Sequence, residues 1–347
     1  MNTNYWSVDK FVDNLENYPQ IQQAADFLAK NEVVAFPTET VYGLGGNAKE
    51  DLAVEKIFAA KGRPSDNPLI IHIAEQSQLT DFVTEISAKS QLLMDRFWPG
   101  PLTIIFPLKK GFISKKATAG LETVGVRMPD HPVALAVLKA SGLPIAAPSA
   151  NRSGKPSPTT ALHVKEDLDG RIAGIVDGGP TGVGVESTVI DCTTEIPVIL
   201  RPGGVTKEQL EAVVGEVHVD PALSDEKEAP KAPGMKYRHY APDAPLYLVD
   251  GTREEIQKRI NEQRGEGKKV GVLTTKENET FYDADFIFAC GERGRLETVA
   301  HSIYEALRSF NKQNIDLIYS EMFPNEGVGN AIMNRLMKAA GQRVIKG

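Results

Sequence analysis

The stretch KGRPSDNPLIIHI, residues 61–73, joins a predicted helix to a predicted strand. Apolar residues at helical spacing indicate a helix over about residues 48–60, and LIIHIA, which follows, is an apolar run typical of a buried strand. The helix residues predicted to face inward are Leu52, Ile57 and Phe58. Two cations, Lys61 and Arg63, therefore lie in a helix-to-strand connection, where folds usually place function.

The flanking sequence predicts two kinds of fold in one chain. Toward the N-terminal side, strands are predicted at VVAF, LTIIF, TVGVRM, LPIAA, AGIVD, STVIDC and PVILR, with helices near residues 20–32, 87–97, 132–139, 159–168 and 206–213. The last three strands follow one another without helices, which favours an α+β domain with a twisted mixed sheet. After about residue 244 strands and helices alternate, which predicts a smaller, Rossmann-like parallel α/β domain.

Length and composition set the domain organisation. A chain of 347 residues exceeds a typical domain of about 150 residues. The segment EVHVDPALSDEKEAPK is polar, proline-containing and without a sustained period, as linkers are. We therefore predict a first domain at residues 1–215, a linker at 216–243 and a C-terminal domain at 244–347.

Charge and cysteine usage exclude some function classes. Lys and Arg number 39 against 46 Asp and Glu, a net charge of −7, which argues against coating nucleic acid or an anionic membrane. No run approaches the ~18 apolar residues of a membrane span, and the N-terminus lacks a signal-peptide pattern. Cys192 and Cys290 are far apart and show no metal spacing, so we expect two buried thiols and a cytoplasmic protein.

Four loops carry residues that a bare scaffold does not need. They combine small hydroxyls, glycines that allow close backbone approach, and the cations Lys61, Arg63 and Lys155, a set suited to phosphate. The loops are PTETVYGLGG (37–46), KGRPSDNP (61–68), APSANRSGKPSPT (147–159) and GGPTGVGVEST (178–188).

Each of these features also has a structural interpretation. Lys61 and Arg63 could be a solvated helix end, His72 a half-buried strand residue, and Arg127 a surface arginine at a strand end. The SAN tripeptide could be a simple turn, and GLGGNA (43–48) an ordinary glycine turn rather than a dinucleotide site, because PTETVY separates the strand from the first glycine. Ser149 and Ser157 lack the G-x-S-x-G context of a nucleophile.

Taken together, the motifs resemble a known family. PTETVYGLG, KGRPSDNPL, VGVRMPDHP, APSANRSGKPSPT and GGPTGVGVESTVID followed by LRPGGV are similar, over about residues 18–210, to the threonylcarbamoyl-AMP synthase, or YrdC, family. The family signature pairs Lys-x-Arg with Ser-x-Asn, here Lys61, Arg63, Ser149 and Asn151. The segment APGMKYRHYAP (232–242) and the C-terminal domain resemble the two-domain form.

The resemblance implies an L-threonylcarbamoyladenylate synthase with a YrdC-like catalytic domain. Such an enzyme joins L-threonine, bicarbonate and ATP, releases pyrophosphate, uses Mg²⁺ carried mainly by the ATP phosphates, and supplies proteins that modify adenosine in tRNA. Direct contact with tRNA would be weak. The implied catalytic residues are Lys61 and Arg63; the implied ATP-binding residues are Arg63, Asn67, Thr118, Ser149, Asn151, Ser157, Arg201 and Tyr240; the implied L-threonine-binding residues are Thr40, His72, Arg127, Ala147 and Ser187.

The linker suggests a further hypothesis, and two other functions compete with the synthase. The linker contains large aromatic and basic side chains that a mere spacer does not need, namely Tyr237, Arg238, His239 and Tyr240. We therefore expect this segment to fold over the site and exclude water. The alternative from another class is a tRNA or double-stranded RNA-binding module without catalysis, which the net charge disfavours. A nicotinamide oxidoreductase would depend on GLGGNA alone.

Overall fold

The structure is a computed structural model that describes residues 2–223 and 239–346. The chain divides into two compact units. The first unit comprises Met1–Ser153, Ser157–Gly182 and Glu186–Lys236, and the second comprises Gly154–Pro156, Val183–Val185 and Tyr237–Gly347. Two short loop segments from the N-terminal half of the sequence are therefore part of the second unit.

The strands in the described part of the first unit are β1 Asn4–Ser7, β2 Val34–Phe36, β3 Gly43–Asn47, β4 Ile71–His72, β5 Leu102–Pro107, β6 Thr123–Arg127, β7 Ile145–Ala146, β8 Gly174–Asp177, β9 Thr188–Asp191, β10 Val198–Arg201 and β11 His218–Val219. They form an eleven-stranded sheet in the order β1-β8-β2-β3-β7-β4-β6-β5-β9-β10-β11. The sheet contains both parallel pairs, such as β4 with β6, and antiparallel pairs, such as β5 with β6, which confirms the predicted mixed sheet.

The helices of the first unit begin and end at residues suited to those positions. Ser87, Thr160 and Thr206 cap three of them with side-chain oxygens, and proline occupies the first turn of two others. The helices are α1 Pro19–Ala29, α2 Asp51–Lys61, α3 Leu79–Phe82, α4 Ala88–Phe97, α5 Pro132–Ser141, α6 Ala161–Leu168 and α7 Lys207–Val214. On α2, Ile57 and Phe58 are buried as predicted, but Leu52 is 53% exposed, so that prediction was wrong.

The largest difference from the sequence prediction is β3. The segment GLGGN was expected to be a glycine-rich loop, but Gly43–Asn47 is a buried strand antiparallel to β2. A Cβ at Gly45 would lie 2.6 Å from the Phe36 ring and 2.8 Å from Ile145. These glycines thus allow close packing in the sheet, and the tight strand-to-glycine turn of a dinucleotide site is not formed here.

The described strands of the second unit are β12 Leu246–Asp250, β13 Val270–Thr274, β14 Phe286–Ala289, β15 Leu317–Glu321 and β16 Val344–Lys346. They form a five-stranded sheet in the order β14-β13-β15-β12-β16, in which every pair is parallel. The described helices of this unit are α8 Arg253–Gly265, α9 Leu296–Phe310 and α10 Gly329–Ala340. The predicted small parallel α/β fold is confirmed.

Within residues 2–223 and 239–346, no helix combines the length and apolar character needed to cross a membrane.

Candidate functional site

Backbone hydrogen bonds join the first-unit residues of the four loops singled out in the sequence. The backbone N–H of Ala150 donates to the carbonyl of Tyr42 at 2.8 Å, which joins the 147–159 loop to the 37–46 loop. Ser153 N–H donates to the Lys61 carbonyl at 2.9 Å, and Gly182 N–H donates to the Glu39 carbonyl at 3.0 Å. Backbone hydrogen bonds therefore hold all four loops together.

Lys61 is the last residue of α2, and Gly62 ends the helix in a left-handed conformation with φ of 62°. Lys61 is only 4% exposed, so its interpretation as a solvated helix end was wrong. The Nζ donates to the Ser149 carbonyl at 2.5 Å, the Asn151 carbonyl at 2.8 Å and Asn151 Oδ1 at 3.3 Å. Burial, followed by the neighbouring Arg63 cation, holds the pKa of Lys61 well below its ordinary value.

The signature residues thus form one cluster. Ser149 Oγ donates to Asn151 Oδ1 at 2.6 Å, so the SAN turn is held both by its own side chains and by Lys61. The structure brings Lys61 together with Ser149 and Asn151, although Lys61 precedes them by 88 and 90 positions in sequence.

Arg63 and Asn67 lie in the connection between α2 and β4. Arg63 Nη2 donates to the Asn67 carbonyl at 3.2 Å, and its guanidinium lies over the Phe58 ring at 5.9 Å. The Asn67 side chain is fully buried, and neither its oxygen nor its nitrogen has a hydrogen-bond partner in the described part of the chain. Such a group is unfavourable unless something else satisfies it, which makes Asn67 a candidate ligand contact.

Arg63 also lines an open cavity of about 810 Å³. Its other walls include Phe58, Gly62, Lys115 and Lys116. Thr118, whose hydroxyl donates to the Lys115 carbonyl at 3.3 Å, belongs to the same loop as Lys115. The structure therefore places the predicted Thr118 close to the cavity that Arg63 lines.

His72 and Arg127 are cross-strand neighbours on β4 and β6. Both are buried, with 3% and 4% of their surface exposed. The interpretation of His72 as half-buried and that of Arg127 as a surface residue were therefore wrong. Burial, followed by the Arg127 cation, lowers the pKa of His72 to about 3, so His72 is neutral at pH 7.

Arg127 is paired with Glu39, a residue that the sequence analysis did not select. Arg127 Nη2 lies 2.6 Å from Glu39 Oε1, and both side chains are largely buried. Glu39 directly precedes the predicted Thr40, whose hydroxyl lies 2.9 Å from that of Thr38. The sequence signal that could have pointed to Glu39 was its position between two threonines within a predicted site loop.

A second missed carboxylate lies in the 178–188 loop. Glu186 Oε1 accepts a hydrogen bond from the predicted Ser157 at 2.5 Å. Ser187, which follows Glu186, is held by Arg201, whose Nη2 donates to the Ser187 carbonyl at 2.8 Å and to its Oγ at 3.1 Å. The predicted Ala147 is buried, and its N–H donates to the Ile70 carbonyl at 2.9 Å just before β4.

The linker hypothesis concerns residues that are only partly described. Tyr237 and Arg238 lie outside the described residues. Tyr240 belongs to the second unit, where its ring lies 5.2 Å from that of Tyr304 and 5.8 Å from the Arg335 guanidinium. Its assignment to ATP stays a prediction.

Comparison with known proteins defines the class of the fold first. E. coli YciO matches with a TM-score of 0.51 and 26% identity, covering 58% of this chain and 96% of that chain. The mixed sheet with its cluster of loops is thus a YrdC-like fold joined to a second α/β unit.

The family follows from closer relatives. The family model described as "Telomere recombination" matches residues 26–203, and "Threonylcarbamoyl-AMP synthase, C-terminal domain" matches residues 205–341. Threonylcarbamoyl-AMP synthase of Bacillus subtilis is 62% identical and covers 100% of both chains, and that of Pyrococcus abyssi is 50% identical, covering 94% of this chain and 96% of its own. A crystal structure of P. abyssi Sua5 complexed with L-threonine matches with a TM-score of 0.93 and 48% identity over 99% of this chain and 100% of that chain. The chain belongs to the threonylcarbamoyl-AMP synthase family.

Proposed function

We propose that this protein makes threonylcarbamoyl-AMP from L-threonine, bicarbonate and ATP, releasing pyrophosphate and water, for the modification of adenosine in tRNA. The observation that carries the proposal is the cluster in which buried Lys61 holds Ser149 and Asn151 at the junction of the four loops. Membership of the threonylcarbamoyl-AMP synthase family supports the same reaction.

The reaction requires two anions to approach each other. Threonine's amine and bicarbonate give a carbamate, and this carbamate attacks the α-phosphate of ATP while pyrophosphate leaves. Positive charge and preorganised donors reduce the repulsion and the developing charge in such a step. Arg63 beside the open cavity, with Asn67, is suited to the phosphates.

Lys61 contributes in a second way. Its ammonium has three N–H groups, and the structure gives it three acceptors in the SAN turn. Lys61 therefore holds Ser149 and Asn151 at fixed positions for ATP and adds a buried positive charge beside them. Arg127 receives the threonine carboxylate, and Thr40, His72, Ala147 and Ser187 surround the amino acid.

Mg²⁺ is the proposed cofactor, held by phosphate oxygens and water rather than by a protein cage. Of the site carboxylates, Glu39 lies against the Arg127 cation and Glu186 accepts a hydrogen bond from Ser157. Among the described residues no group of three or more His, Cys, Asp or Glu side chains could hold a metal. The residues present thus fit a metal that arrives with ATP, and Mg²⁺ supplies charge neutralisation on the phosphates when bound.

The test is pyrophosphate release from ATP and Mg²⁺, with L-threonine and bicarbonate omitted in turn. We expect release only when both are present. Release with neither, or a folded protein that binds tRNA in a salt-dependent way and consumes no ATP, would instead favour the RNA-binding module. We further propose a cytoplasmic location and transfer of the product to separate tRNA-modifying proteins.

A further inference from the structure

The ion pair between Glu39 and Arg127 leaves the carboxylate of Glu39 short of donors. Its side chain is 12% exposed, and both oxygens are buried. The 2.6 Å contact with Arg127 Nη2 lacks hydrogen-bond angles, and no other donor reaches either oxygen in the described part of the chain. A buried carboxylate can accept about four hydrogen bonds, so most of its capacity is unused.

The neighbours of Glu39 do not make up this deficit. His131 is buried and neither of its ring nitrogens has a hydrogen-bond partner among the described residues. Burial lowers the pKa of His131 to about 4, so its ring is neutral at pH 7. Burial and the charge of Glu39 raise the pKa of the nearby Asp130 carboxyl. Arg127 is thus the close cation for Glu39 in the described part of this pocket.

Arg127 in turn has donors to spare. Its Nε donates to the Gly100 carbonyl at 3.3 Å and its Nη2 faces Glu39, while no contact of Nη1 is found within residues 2–223 and 239–346. The guanidinium can therefore take a substrate carboxylate through Nη1 while its pairing with Glu39 stays intact. A cation with free donors then lies beside an anion with free acceptor positions.

We propose that Glu39 binds the α-ammonium group of the amino-acid substrate and is a specificity-determining residue of this pocket. The inference rests on the proposed function, in which Arg127 takes the α-carboxylate. A zwitterion matches the Arg127–Glu39 pair at both ends, whereas a hydroxy acid or an N-acylated amino acid leaves the Glu39 carboxylate buried without the donor it needs. Loss of a charged hydrogen bond of this kind weakens binding by about 10- to 100-fold.

The experiment measures binding by calorimetry, so that it does not depend on turnover. L-threonine and its amine-free analogue, 3-hydroxybutanoate, are titrated into the wild-type protein, Glu39→Gln and Glu39→Asp. Glu32→Gln is the matched control, because Glu32 precedes β2 in the same unit and pairs with the half-exposed Lys56 at 2.7 Å. ATP titrations and thermal unfolding show whether each variant is folded.

We expect Glu39→Gln to lower the affinity for L-threonine about 10- to 100-fold and to leave the affinity for 3-hydroxybutanoate unchanged. We expect Glu39→Asp, which keeps the carboxylate, to bind L-threonine more tightly than Glu39→Gln does. Equal loss for both ligands would overturn the proposal, because Glu39 would then only position Arg127. Tighter binding of both would also overturn it, because Glu39 would then compete with the substrate carboxylate. A wild-type protein that binds L-threonine but releases no pyrophosphate would refute the proposed reaction and leave this inference standing.

Discussion

Two buried carboxylates, Glu39 in the first unit and Glu321 in the second, lie in opposite chemical situations. Glu39 faces one cation. Glu321, at the end of β15, accepts hydrogen bonds at Oε1 from Thr274 at 2.6 Å, Asn278 at 2.8 Å and Tyr282 at 3.0 Å, and at Oε2 from Arg293 at 2.5 Å. The difference separates a carboxylate that can still bind a ligand from one that is already satisfied by the fold.

Position in the fold alone would suggest the reverse. Thr274 and Glu321 end the neighbouring parallel strands β13 and β15, and the chain leaves these strands toward opposite edges of the sheet. Such a switch point is where open α/β sheets usually bind ligands. Both oxygens of Glu321 already accept hydrogen bonds from the protein, which indicates instead that this edge stabilises the second unit.

The variant Lys61→Ala is the strongest test of this comparison. Like Glu321, Lys61 has its hydrogen-bonding capacity filled by the protein, but it lies among the site loops. We expect Lys61→Ala to lower the rate of pyrophosphate release by about 100-fold or more. The SAN turn then loses the side chain that holds it, and the site loses a positive charge. Lys56→Ala on the same helix removes only a half-exposed ion pair and should leave the rate unchanged. A fully active Lys61→Ala variant with reduced stability would make Lys61 a structural residue.

Glu321→Ala tests the other side of the comparison through stability. Removing the carboxylate leaves buried donors without an acceptor, so the free energy of unfolding of the second unit should fall by about 2–3 kcal/mol. Calorimetry measures this transition, and tryptophan fluorescence follows the first unit, which holds both tryptophans, Trp6 and Trp98.

Glu292→Ala is the control for this variant, because Glu292 is 30% exposed and pairs with Lys276 and Arg295 at the surface. Its effect should stay below about 0.5 kcal/mol. If Glu321→Ala left the second unit as stable as before but stopped pyrophosphate release, the saturated network would be functional and the comparison would fail.

Local sequence signals predicted much of this fold. Apolar periodicity located the helices from the sequence. The structure adds that Ser87, Thr160 and Thr206 cap three of them, which is also an interaction between residues close in sequence. Strand β3 was missed because glycine has low strand propensity, and its burial depends on Phe36 and Ile145 from other strands.

The candidate site divides in the same way. The loops and their chemically marked residues were visible in the sequence, and the structure brings the loops together. Glu39 and Glu186 were not selected from the sequence, because their roles depend on distant partners, Arg127 and Ser157. The position of Glu39 between two threonines of a site loop was a local signal, but it did not reveal the pairing with Arg127. Burial was equally invisible for Lys61, whose cation looked like that of a solvated helix end.

The smallest expected effect on stability, and the finest test of the comparison, comes from two buried asparagines of the first unit. Asn67 has no side-chain partner in the described part of the chain, whereas Asn47 donates to Asn31 Oδ1 at 3.1 Å and accepts from Lys49 N–H at 3.1 Å. Asn67→Ala should change the free energy of unfolding by less than about 1 kcal/mol, because its amide has no partner within the described protein. It should raise the KM for ATP about tenfold, because in the proposed function this amide bonds to ATP.

Asn47→Ala should show the opposite pattern, a loss of about 1–2 kcal/mol with an unchanged KM for ATP, because its hydrogen bonds are made within the protein. Urea unfolding followed by tryptophan fluorescence, with initial rates at varied ATP, measures both quantities on both variants. If Asn67→Ala destabilised the unit as much as Asn47→Ala and left the KM for ATP unchanged, an unpartnered buried amide would not mark a ligand site in this protein, and the contrast between Glu39 and Glu321 would lose its functional meaning.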